Sequence, residues 1–91
     1  MSAEEYNREM DDAIRSKGIF TSAMLRDFDK AYNQDSASGA IWLIGKLKLG
    51  KEVLLSTGRI GVGDDKRVVL SSVQSFDKWV QERYPDYAGD L

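Results

Sequence analysis

The sequence predicts a small single α+β domain, a three-stranded antiparallel meander packed against helices in the order α-α-β-β-β-α. Three observations predict it. Apolar residues recur at helical spacing in the first third of the chain and again near its end. Between them, Ala40–Leu70 alternates lysine with leucine over residues 46–49 and is punctuated by glycines. The length of 91 residues, 42% of them hydrophobic, suits one modest core. A chain this short buries only about 60–65% of the surface its unfolded form exposes.

The first helix is expected over about residues 3–17. Ser2-Ala3-Glu4-Glu5 fits a capping box, in which hydroxyl and carboxylate each satisfy a free backbone N–H. Ala3, Tyr6, Met10, Ala13 and Ile14 then line one face, and Gly18 supplies a stop. A second helix over 22–34 starts from Thr21 as N-cap, with Phe20 placed to pack on Leu25 as a hydrophobic staple. Met24, Leu25, Phe28, Ala31 and Tyr32 form its apolar stripe, a core pattern. Residues 33–39 (NQDSASG) read as a polar loop.

Strands are expected over about 41–49, 52–60 and 66–70. Lys46 and Lys48 alternate with Leu47 and Leu49, which puts cations on one face and leucines on the other. Gly50-Lys51 suits a two-residue hairpin, since glycine accepts positive φ at its first central position. Gly58, Gly61, Gly63 and Asp64-Asp65 mark a longer connection. A competing reading places Ala37, Ala40, Ile41, Ile44 and Leu47 on a third helix, capped by Ser36 or Ser38 and followed by a two-stranded wing. The strand reading is preferred because internal glycines weaken a helix by about 1 kcal/mol each. A last helix over 72–84 takes Ser71 and Gln74 as its cap and buries Val73, Phe76, Val80 and Tyr84, with Trp79 at the edge. Pro85 ends it, leaving 85–91 as a C-terminal tail.

Composition bounds the chemistry. With no histidine and no cysteine, imidazole acid–base catalysis, thiolate nucleophiles and Cys/His metal sites are all excluded. No serine stands in a G-x-S-x-G elbow. Asp64-Asp65 reads as a solvated turn in preference to a cation site, and GRIGVGDDK lacks the G-K-[ST] ending of a phosphate loop. We expect no enzyme, no cofactor and no metal. The charged start MSAEEYNREM does not read as a signal peptide, and no apolar run suggests a membrane span, so a cytoplasmic protein is expected.

Net charge is −2 and unevenly spread. Residues 1–40 carry five Lys/Arg against eight Asp/Glu, residues 41–70 six against three, and residues 71–91 two against four. The expected sheet is therefore the basic part of an acidic protein. Its cations Lys46, Lys48, Lys51, Arg59, Lys66 and Arg67 suggest an open face. Trp42 and Ile44 share that face in the expected register, while Trp79 and Tyr84 offer an aromatic helix edge. Exposed tryptophan and tyrosine commonly anchor protein interfaces.

The expectation is a non-catalytic small interaction protein, an inhibitor, adaptor or regulator of the kind mobile elements encode. A protein partner is favoured, with a homodimer left open. The alternative is a nucleic-acid-binding module that uses the basic sheet, or the winged helix-turn-helix of the competing reading. The α-β-β-β-α part resembles double-stranded-RNA-binding domains in element order alone. Their basic helix start is replaced here by SSVQSFDKWV, with one lysine.

Overall fold

The computed structural model describes residues 2–65 and 68–91. Its elements run α1 (Ala3–Lys17), β1 (Ile19–Phe20), α2 (Ser22–Gln34), α3 (Ala37–Thr57), β2 (Ile60–Val62), β3 (Val68–Leu70) and α4 (Val73–Arg83), then a 3-10 turn at Pro85–Asp90. Each of the first three helices starts where a side-chain oxygen can take a free N–H. Ser2 Oγ accepts from Glu5, Thr21 Oγ1 from Met24 and Ser36 Oγ from Gly39, all at 3.1 Å. Gly18 closes α1 in the left-handed conformation, with φ 62°.

The middle of the chain corrects the expected meander. The expected strand 41–49 and residues 52–57 of the next form a single 21-residue helix, α3, which starts as in the competing reading but runs on to Thr57; of the expected strand 52–60 only Ile60 lies in a strand. Two glycines of α3 stand where a side chain would collide. A Cβ on Gly50 would lie 2.2 Å from Phe20 Cζ, and one on Gly39 would lie 2.8 Å from Ser36 Oγ. Gly50 therefore lets the Phe20 ring seat against the helix backbone, which offsets its weak helix propensity. The lysine–leucine alternation misleads because α3 is buried on several sides at once: Leu43, Leu47, Leu49, Val53 and Leu54 are all in the core.

The sheet is mixed, in the order β1-β2-β3. β1 runs parallel to β2, with Ile19 opposite Gly61 and Phe20 opposite Val62. The α2–α3 pair makes the crossover that a parallel connection requires. β2 and β3 form an antiparallel hairpin, with Ile60 opposite Leu70. The third expected strand, 66–70, is described only over Val68–Leu70; Lys66 and Arg67 lie outside the described residues.

Phe20 sits at the centre of the core. Its ring lies 5.3 Å from Phe28, edge-on, and 5.7 Å from Trp79, stacked. Met10 and Ile14 of α1, Leu43 and Leu47 of α3, and Phe76 and Val80 of α4 close around it. α4 begins one residue later than expected, capped by a reciprocal Ser72–Ser75 box in place of Ser71–Gln74. Beyond Pro85 the chain turns back, so that Tyr87, Ala88 and Leu91 lie against the core. No helix among the described residues is long and apolar enough to cross a membrane.

Candidate interaction surface on α3

Refolding the middle segment as helix scatters the expected cationic face. Lys46 is 6% exposed, and its Nζ lies 2.5 Å from Asp11 Oδ1 of α1. The same ammonium stands 5.6 Å from the centre of the Trp42 ring. Lys51 pairs with Asp77 at 3.0 Å and also donates to the Leu91 carbonyl at 3.3 Å. Lys48 and Arg59 stay exposed, whereas Lys66 and Arg67 fall outside the described residues.

The expected aromatic anchors are spent inside the fold. Trp42 is half-buried: its Nε1–H donates to Asn7 Oδ1 at 2.5 Å, and its ring packs edge-on against Phe28. Ile44 and Trp79 are half-buried as well. Tyr84 is 1% exposed, and its hydroxyl donates to Asp29 Oδ1 at 2.8 Å. Burial, reinforced by the Asp29 carboxylate, raises that phenol well above its ordinary value. Arg83 joins the cluster, holding Asp29 Oδ2 at 2.9 Å and donating to Tyr84 Oη at 2.9 Å.

Asp64, read from the sequence as part of a solvated turn, has a structural role. Its carboxylate accepts from the Ser22 N–H at 2.9 Å, and its own N–H donates to Ser22 Oγ at 3.3 Å. This exchange ties the β2–β3 hairpin to the start of α2 and caps the positive end of that helix.

One face of α3 remains outward. Ser38, Ile41, Gly45, Lys48, Glu52 and Leu55 are all exposed and succeed each other along the helix. Ile41 is 74% and Leu55 66% exposed, the two most exposed large apolar side chains among the described residues. Open grooves border the stripe. The groove against α1 includes Asn7, Asp11 and Arg15, and the opposite one runs past Ile44 to Asp90. Of the residues expected to bind, Lys48 lies on this stripe, while Trp42 and Ile44 line its flanks. Ile41, Gly45, Glu52 and Leu55 share this face but are not among the residues expected to bind. The signal that could have found them is the alternating spacing of three and four, which becomes visible only once the segment is read as helix.

A second concave surface lies beside the sheet, lined by Lys17, Gly18, Arg59, Gly61 and Val69. Val68 and Val69 of the edge strand β3 are both about half exposed, at 47% and 49%. Comparison of the chain with protein-family models, with curated proteins and with solved structures gives no match.

Proposed function

We propose that the chain is a non-catalytic interaction domain that docks on protein through the outward face of α3. The observation that carries this reading is the exposure of Ile41 and Leu55 on a helix whose remaining faces are packed into the core. Large apolar side chains lifted into water and rimmed by charge are what a protein interface buries. Several hydroxyls and one carboxylate serve structure: Ser22 and Asp64 bond each other, and Ser72 and Ser75 cap α4. An inhibitor, adaptor or regulator is the class that fits.

The test replaces both Ile41 and Leu55 with aspartate. Because both are solvent-facing, the variant should unfold at the wild-type midpoint yet fail to retain protein partners from the native host. Undiminished capture would refute the reading.

A second reading keeps nucleic acid as the partner, supported by the element order α2–α3–hairpin and by Lys17 and Arg59 bordering one concavity. It requires binding to duplex DNA or RNA that weakens steeply with salt, and that drops when Arg59 is changed to glutamate.

A further inference from the structure

Resting on the protein-docking reading, we infer that the occupant of this face is a second copy of the chain, its α3 laid antiparallel across a two-fold axis. The exposed positions Ser38, Ile41, Gly45, Lys48, Glu52 and Leu55 are spaced three, four, three, four and three residues apart. That alternation keeps the exposed positions in one line, which a second helix can face.

Charge selects the orientation. Lys48 and Glu52 make no ion pair within their own chain among the described residues. A parallel pairing in register would set Lys48 against Lys48 and Glu52 against Glu52. Antiparallel pairing centred between these positions sets Lys48 of each copy against Glu52 of the other, so two ion pairs form from one repeated contact. Sliding the helices so that Lys48 faces Gly45 instead would bring the two lysines close together, which like-charge repulsion opposes.

Shape selects the same register. With Lys48 facing Glu52, Leu55 of each copy falls over Gly45 of the other. A Cβ on Gly45 would meet nothing within 4 Å, so the space above that backbone is open to a leucine side chain. Ile41 then lies beyond the helix end of the second copy, next to its Arg59. The seam is thus complementary to itself in both charge and relief, which a surface built for an unrelated partner has no reason to be.

Sedimentation velocity on the full chain, from micromolar to millimolar concentration, tests this. The wild type should pass from monomer to dimer. Lys48→Glu and Glu52→Lys should each raise the dissociation constant roughly tenfold or more, because like charges then face each other. The double variant Lys48→Glu with Glu52→Lys should restore dimerisation, since the pairs re-form with signs exchanged. A wild type that stays monomeric throughout overturns the inference, as does a dimer indifferent to the single reversals or a double variant that stays dissociated. Duplex DNA binding that Lys48→Glu abolishes would overturn it too, assigning the face to nucleic acid. Protein capture lost in the Ile41→Asp, Leu55→Asp variant of a monomeric chain would leave the broader docking reading standing without this one.

Discussion

Two polar clamps hold the helices together, and they are built differently. Between α1 and α3, Lys46 meets Asp11, and one turn earlier Trp42 meets Asn7. Between α2 and α4, Arg83 and Tyr84 share Asp29. The first clamp keeps its cation almost dry, with 8% of the Lys46 side chain exposed, while Arg83 in the second keeps 35% in water. The lesson concerns reading charge from sequence. Lys46 and Lys48 are near neighbours in the chain, yet one is a structural element of the interior and the other faces solvent.

The largest expected effect comes from breaking the drier clamp. Asp11→Ala leaves the Lys46 ammonium buried without its partner, and chemical denaturation should show a loss of about 2 kcal/mol. That is below the ~3–5 kcal/mol typical of a fully enclosed pair, because Asp11 itself keeps 31% of its side chain in water. Adding Lys46→Met should recover most of the loss, since the orphaned charge goes with it. If the double variant is no more stable than Asp11→Ala alone, burial of the ammonium is not what makes the clamp matter.

A smaller effect is expected at the wetter clamp. Asp29→Ala should lower stability by about 1 kcal/mol, because the partly exposed Arg83 guanidinium can turn to water, which leaves the lost acceptor of the Tyr84 hydroxyl as the main cost. A loss as large as that of Asp11→Ala would erase the contrast between the two. Added salt should narrow the wild-type advantage over Asp29→Ala more than the advantage over Asp11→Ala, since screening reaches exposed pairs first.

The smallest effect appears only in alkali. Tyr84 holds its proton more tightly folded than unfolded, through burial and then the Asp29 carboxylate. Its contribution is therefore fully present below the ordinary tyrosine value of about 10 and is lost as pH rises through the raised folded value. Tyr6, whose hydroxyl donates to Asp27, is raised in the same direction. Denaturation midpoints should fall above about pH 10, and fall less in Tyr84→Phe. An equal fall in that variant would place the proton linkage elsewhere.

The outer helices are legible in the sequence because their signals are local. Ser2 and Thr21 each stand next to an amphipathic stripe, and Gly18 and Pro85 punctuate the ends. The centre is not, because its signals are tertiary. Gly50 looks like a turn residue until Phe20 is known to press against it, and Lys46 looks like a surface residue until Asp11 is brought alongside from 35 positions away. The aromatic residues expected at the surface are less exposed than their size suggested, for a related reason. Trp42, Trp79 and Tyr84 each have a polar atom or ring edge that the interior can satisfy, so large size and a polar tip did not imply an interface. The outward stripe of α3 carries no aromatic side chain and only one cation, which is why composition did not advertise it.

The hairpin carries one more consequence. β3 leaves a flank of the sheet unpaired and turns two valines outward, a combination that elsewhere recruits stray chains into fibrils. Among the described residues the ribbon is three residues long, Val68–Leu70. It can offer an incoming segment too few ladder bonds to offset the entropy of ordering it. An edge this short should favour the monomer over strand-to-strand stacking, and lengthening the hairpin by a few β-branched residues should raise the tendency to aggregate along that border.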